Sequence, residues 1–199
     1  YKVNYTDVYS QVRCWDTLIY NHLKSKHIVI PPREDHDKAA QFEGAYVKDP
    51  DLGLHKWIVS FDLNSLYPHL IMQYNISPET YVGVETKGMS VENMLNQQLN
   101  LDWAKNKDVA ISANGAMFRR DKQGFLPELM QKMYGDRVIY KKKMIEAKKE
   151  FQKTKDPIYK NEIARCHNIQ MAKKISLNSA YGAIGNQYFR YFEKNKAEA

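Results

Sequence analysis

Cysteine is almost missing from this sequence of 199 residues. Only Cys14 and Cys166 occur, far apart and without a CxxC pair. That excludes a disulfide framework and leads us to expect free thiols in a reducing compartment. Long apolar runs are missing too. No stretch of about 18 apolar residues occurs, so neither a helical membrane span nor a membrane partner is expected. The opening, YKVNYTDVYS, has no basic segment followed by an apolar one and no initiator Met. We therefore expect no signal peptide and read the chain as an internal piece of something longer. The six histidines are scattered. No two share ligand spacing on a helix face, so they read as ordinary surface or core residues. Internal repeats and low-complexity tracts are absent.

What is present is an ordinary globular composition, 43% hydrophobic and 27% charged, with fourteen tyrosines. Tyrosine suits base and sugar packing, and equally suits half-buried surfaces. The net charge is +7, and its location is more informative than its size. Residues 132–174 hold thirteen Lys/Arg against five Asp/Glu, a net of +8. The rest of the chain is close to neutral. A solvated helix face is one reading of such a block; a polyanion partner is the other.

Apolar residues Val8, Val12, Trp15, Leu18, Ile19 and Leu23 recur at helical spacing, which predicts an amphipathic helix over 7–24. Short apolar runs at 28–30 and 57–63 predict strands, the first stopped by Pro31-Pro32. Ser65 is placed to cap a helix that follows, with Pro68 in its first turn. Asn114-Gly115 and Gln123-Gly124 are turn signals. Pro127 should open a helix running to about Lys153, and Asp156-Pro157 should break it. A second long helix should follow from about Ile158 to Tyr181, ended by Gly182 and Gly185. The short connector makes the two antiparallel neighbours.

Two segments carry the chemistry. SFDLNSLYP, at 60–68, puts the Asp62 carboxylate at the end of an apolar strand, beside a helix start. The N–H groups of Ser65, Leu66 and Tyr67 would be unpaired there, which suits phosphate oxygens, and a carboxylate beside them suits a phosphate-bridging Mg2+. KISLNSAYG, at 174–182, lies on the second helix. At 100° per residue, His167, Gln170, Lys174, Asn178 and Tyr181 share one face, opposite Ile163, Ala172, Leu177 and Ala180, and on the first helix Arg137, Lys141 and Lys148 align. Such cations can neutralise a leaving pyrophosphate. The plainer alternatives stand beside this: a strand-end Asp, a simple cap, a core Tyr67 and a solvated polar stripe. Tyr134-Gly135-Asp136 begins like a catalytic turn but continues as helix, and is assigned no catalytic role.

These residues resemble a known family. SFDLNSLYP is similar to motif A of family B DNA polymerases, DxxSLYP, and KISLNSAYG to their motif B, KxxxNSxYG. CWDTLIYNHL (14–23), NISPET (75–80), SANGAMF (112–118), RVIYKKKM (137–144) and GNQYFRYF (185–192) look most like the replicative polymerases of T4-type bacteriophages. The resemblance covers nearly the whole chain in order. It implies an α+β fold: part of a polymerase palm, an antiparallel sheet with helices, plus a long antiparallel two-helix fingers hairpin. The implied division is 1–45 as connection from an exonuclease domain, 46–125 as first part of the palm, 126–183 as fingers and 184–199 as return to the palm.

The resemblance also implies roles. The reaction would be template-directed transfer of dNMP to a primer 3′-OH, with Asp62 and Lys174 as catalytic residues. Asp62 would bind two Mg2+ ions, and the Leu63 carbonyl would join one of them. Ser65, Leu66, Tyr67, Arg137, Lys141, Lys174 and Asn178 would hold the dNTP, with Tyr67 as the steric gate against ribonucleotides. Tyr181 and Gly182 would line the new base pair. Phe42 to Ala45 resembles the YxGG/A motif, with Gly44 near template DNA and Phe42 replacing Tyr. His69 replaces a Ser of T4-type relatives, and the hairpin tip is shorter than theirs. Partners would be primer–template DNA, dNTP and, through other parts, a sliding clamp and replisome proteins, in the cytoplasm of a bacterial host cell. The family's third motif, DTD, occurs nowhere in the sequence. Two-metal catalysis needs a second carboxylate, so the isolated chain is expected to be inactive. A subunit of a split polymerase and a non-catalytic nucleic-acid-binding module are the alternatives.

Overall fold

The computed structural model describes residues 2–33, 47–85 and 87–199. Gly44 and the rest of the Phe42–Ala45 motif lie outside the described residues. The described residues form an α+β fold, mostly helical with one small antiparallel sheet. A single-turn 3-10 helix, Asp7–Tyr9, leads into α1, Gln11–Ser25. The Ser10 hydroxyl accepts from the Arg13 N–H and fixes the helix start there. The start therefore falls later than periodicity predicted, and Val8 is left exposed. Trp15, Leu18, Ile19 and Leu23 are buried, as their spacing required. The Trp15 indole N–H reaches the Ser176 carbonyl and Ser179 Oγ, both at 3.2 Å.

The predicted strands at 28–30 and 57–63 are not formed. A strand is stable only when its N–H and C=O groups pair across a ladder, and no described strand lies beside either stretch. Both remain irregular, and Trp57 and Phe61 are 97% and 91% exposed. The observed sheet lies further on. It comprises β1, Tyr81–Val84, β2, Val109–Ile111, and β3, Ala116–Arg119, in the order β1-β3-β2. Tyr81 sits opposite Phe118, and Ala110 opposite Phe118 on the other side. Gly115, at φ +85°, makes the turn between β2 and β3; a Cβ there would lie 1.9 Å from the Glu85 carbonyl oxygen. Two short helices, α3, Val91–Leu95, and α4, Asp102–Asn106, fill the β1–β2 connection.

Three more helices complete the fold: α2, Leu66–Tyr74, α5, Phe125–Thr154, and α6, Pro157–Ile184. The last two make the expected antiparallel hairpin, about 45 Å long at 1.5 Å per residue. Lys155 turns out of α5 in the left-handed conformation, and Asp156 caps α6 by accepting from the Ile158 N–H at 2.9 Å. Helix α6 passes through Gly182 and ends at Gly185, because Ala183 and Ile184 are buried. A four-residue helix α7, Lys194–Ala197, closes the described fold.

The hydrophobic core sits at the base of the hairpin. There Leu126, Met130 and Met133 of α5 and Leu177, Ala180 and Ile184 of α6 meet Ile19 of α1, Ile71 of α2 and Phe118 of β3. The α6 face turned inward carries Cys166, Gln170, Lys173, Leu177 and Ala180. Sequence spacing had placed Ala172 there and Gln170 on the polar stripe. Ala172 is exposed and Gln170 buried, so the packed face is rotated from the expected one. An alternating polar and apolar pattern in a hairpin with one wet side leaves that rotation undetermined. Neither hairpin helix carries an apolar stretch long enough to cross a membrane, and no other described helix does.

Candidate nucleotide-binding site

The entry to α2 is set by Ser65. It adopts the left-handed conformation, φ 55° and ψ 46°, which is uncommon for a residue with a Cβ. Three contacts hold it. The His69 N–H donates to the Ser65 carbonyl at 3.1 Å, and His69 Nδ1 lies 2.9 Å from the same oxygen. Arg137 Nη1 donates to Ser65 Oγ at 3.1 Å. The His69 ring stands edge-on to Tyr134 of α5, with centroids 4.8 Å apart. The expected side-chain cap is thus corrected: Ser65 makes no cap hydrogen bond, and its hydroxyl serves α5 instead of α2.

A left-handed residue followed by right-handed ones turns successive N–H groups toward one side, a concavity suited to anions. Leu66 and Tyr67 open the helix, where N–H groups have no intrahelical acceptor. The next residue, buried Pro68, has no N–H to leave unsatisfied.

A cavity of about 590 Å3 lies against this turn. Residues 61–67 form one wall. Arg137 from α5 forms a second, and Lys174 and Asn178 from α6 a third. The Asp62 carboxylate therefore shares one space with two cations. Arg137 Nε is buried and has no acceptor among the described residues. One carboxylate, helix-start amides and two cations give a site suited to an anionic ligand that carries a divalent cation. No group of three or more His, Cys, Asp or Glu side chains able to share a metal ion occurs among the described residues.

The cavity gathers eight residues expected from sequence: Asp62, Leu63, Ser65, Leu66, Tyr67, Arg137, Lys174 and Asn178. Lys141, one turn beyond Arg137, is exposed and outside the cavity wall. Tyr181 stacks on Tyr67, with centroids 4.5 Å apart and planes 11° from parallel. Burial first, and then the Tyr67 phenol, push the Tyr181 phenol above its usual range. Gly182 follows it, exposed on α6. Sequence reasoning missed Phe61 and Asn64 in the wall and the roles of His69 and Tyr134. Asn64 carried no signal, since the residue before a cap position has no preferred chemistry for this task. His69 was legible as the α2 residue one turn after Ser65.

A helical hairpin thus stands on a small α+β platform, with the cavity where the two meet. The family profile described as DNA polymerase family B matches residues 3–199, and the chain belongs to that family. It is 30% identical to the DNA-directed DNA polymerase of Enterobacteria phage T4, over 100% of this chain and 26% of the relative. Identity to the enzyme of Escherichia phage RB69 is 28%, with the same coverage. DNA polymerase 1 of Pyrococcus abyssi is 35% identical over 79% of this chain and 17% of its own length. The likeness to T4-type phage enzymes is therefore found. Among solved structures, the family B DNA polymerase from the hyperthermophilic archaeon Pyrobaculum calidifontis superposes with a TM-score of 0.64 at 25% identity, covering 95% of this chain and 22% of that one. The chain spans about a quarter of the length of the phage relatives.

Proposed function

We propose that this chain holds the incoming-nucleotide side of a template-directed DNA polymerase site. The observation that carries the proposal is the single cavity shared by residues 61–67, Arg137, Lys174 and Asn178. In this reading the dNTP triphosphate lies against the Leu66 and Tyr67 N–H groups, with Arg137 and Lys174 gripping it from the hairpin. The unsatisfied Arg137 Nε–H suits a phosphate oxygen. Lys174 places positive charge where a leaving pyrophosphate develops negative charge. Tyr67, backed by Tyr181, would crowd the sugar 2′ position. Residues 46–125 and 184–199 would belong to the palm and 126–183 to the fingers, with primer–template DNA across their junction.

The Asp62 carboxylate and the Leu63 carbonyl are hard oxygen donors that fit Mg2+. Bound Mg2+ would neutralise triphosphate charge and activate the primer hydroxyl. Asp62 would hold such an ion against the phosphates, and a second carboxylate has to come from outside these residues. The 57–63 stretch, irregular and with its apolar side chains exposed, favours a palm strand supplied by further polypeptide. That polypeptide is either a continuation of the same frame or a separate subunit. The DNA after the codon for Ala199 distinguishes them: an open frame encoding Asp-Thr-Asp means one chain, and a stop followed by a second gene means a split enzyme.

The test is single-nucleotide insertion by the complete polymerase. Asp62→Ala should abolish insertion. Lys174→Ala should lower turnover about 100-fold or more for all four dNTPs alike, since a phosphate contact carries no base information. Tyr67→Ala should raise ribonucleotide incorporation with modest loss of dNTP turnover. Near wild-type insertion by Asp62→Ala, or a strongly base-dependent loss in Lys174→Ala, would overturn the assignment.

A further inference from the structure

We propose that Asp136 and Lys173 are positioning residues, a clasp between the hairpin helices that aims Arg137 and Lys174 into the cavity. The proposal rests on the reading of that cavity as a dNTP site. Lys173 Nζ lies 2.8 Å from Asp136 Oδ2, with the lysine side chain only 10% exposed and the aspartate 38%. Among the described residues this is the ion pair that joins α5 to α6. Two other ion pairs of the hairpin, Glu150 with Lys153 and Glu162 with Arg165, stay within one helix at i,i+3 and are more exposed, and Glu128 at the start of α5 pairs away from α6, with Lys26 and His22.

The placement of the clasp is informative. Asp136 immediately precedes Arg137, and Lys173 immediately precedes Lys174. Neighbours on a helix point 100° apart. One member of each doublet therefore turns into the seam between the helices while the other turns to the cavity. Fixing the seam members fixes rotation and register of both cavity members together. A slip of one helix by a turn would move its cation by about 5.4 Å, well beyond hydrogen-bond reach. The seam also holds buried Gln170 and is otherwise lined by side chains such as Met144, Ala147, Cys166 and Leu177, which pack but do not select one register.

A buried lysine beside its carboxylate is costly to leave unpaired, so the clasp resists local sliding. The Tyr-Gly-Asp that resembles a catalytic turn in the sequence thus has a task one residue removed from the ligand. Asp136 does not line the cavity, and a role through Arg137 is the one its place supports.

The experiment uses the complete polymerase, with steady-state insertion of each dNTP and thermal unfolding measured on every variant. Asp136→Asn and Lys173→Met should each raise KM for all four dNTPs about tenfold or more, as misplaced binding groups do. The exchanged pair, Asp136→Lys with Lys173→Asp, should restore KM to within about threefold of wild type. If the exchanged pair unfolds, Asp136→Glu with Lys173→Arg replaces it, with the same expected restoration. A lower unfolding temperature in Asp136→Asn with unchanged KM would make the pair structural only and overturn the proposal. A raised KM that neither re-formed pair restores would overturn it as well. Lys174→Ala separates the two levels. If it raises KM and Asp136→Asn does not, the clasp fails and the site stands. If Lys174→Ala changes neither KM nor kcat, the site assignment itself fails.

Discussion

Asn75 shows how much one side chain can hold. It sits in the left-handed conformation at the end of α2. Its Nδ2 donates to the Arg119 and Lys122 carbonyls at 2.6 and 2.8 Å, and its Oδ1 accepts from the Gly124 N–H at 2.9 Å. Its own carbonyl accepts from Thr80 Oγ1 at 2.6 Å. One amide thereby ties the cavity helix, the sheet and the start of α5. Asn75→Ala would strand one buried and two half-buried backbone groups, at roughly 1 kcal/mol each. The expected loss is about 3 kcal/mol, read as a lower denaturant midpoint at unchanged slope. An unchanged midpoint would show that the ties are replaceable. None of this was legible beforehand. NISPET stood out only as a family likeness, because its partners lie 44 to 49 residues away and no periodicity reports such pairings. Ser65 failed differently: its residue type predicted a cap, and a distant arginine took the hydroxyl.

At the scale of elements, the hairpin was the most legible part. Pro127, Asp156-Pro157 and Gly185 are local signals, and local signals survive into the fold. The break at Asp156-Pro157 and the Gly185 stop stand where they were expected. The stretch at 57–63 was misjudged for the opposite reason. Strand formation depends on a neighbour, and composition cannot say whether the neighbour is there. The basic excess also belongs to this scale. Lys141, Lys142, Lys143, Lys148 and Lys149 are all exposed on α5, where they can neutralise phosphates without displacing any packing. DNA affinity of the complete polymerase should fall linearly with log salt. Replacing both Lys148 and Lys149 by Ala should reduce that slope by about 2, one per phosphate contact. A slope unchanged by the double substitution would mean these lysines face only water.

At the scale of the molecule, the family was legible because two motifs of fixed spacing occur in the right order. The cavity then followed, since the base of the hairpin brings them together. What the molecule lacks within these residues is also decisive for a prediction. Asp62 is the carboxylate in the cavity wall, and one carboxylate is a poor holder of two divalent ions. The 199-residue chain alone should extend no primer with Mg2+ and four dNTPs. Mixing with a polypeptide that carries the following palm strands should restore extension. Extension by the chain alone, lost on Asp62→Ala, would show that a second carboxylate lies within it. The exposed apolar stretch at 57–63 should also make the isolated chain prone to self-association.

The tip of the hairpin has one more consequence. Lys155 ends α5 through its own N–H to the Phe151 carbonyl at 3.0 Å, and Asp156 starts α6 with its own carboxylate. Each helix is finished by groups belonging to it, and what passes between the two ends is exposed: the Asp156 N–H to Thr154 Oγ1 at 3.3 Å and the Lys160 ammonium over the Phe151 ring at 5.5 Å. Length at the tip is therefore free to drift. Residues can be gained or lost there over generations with the base undisturbed, since doubling a loop costs only about 0.6 kcal/mol. Tips of different length can then be variants of one machine, differing where inheritance is least constrained.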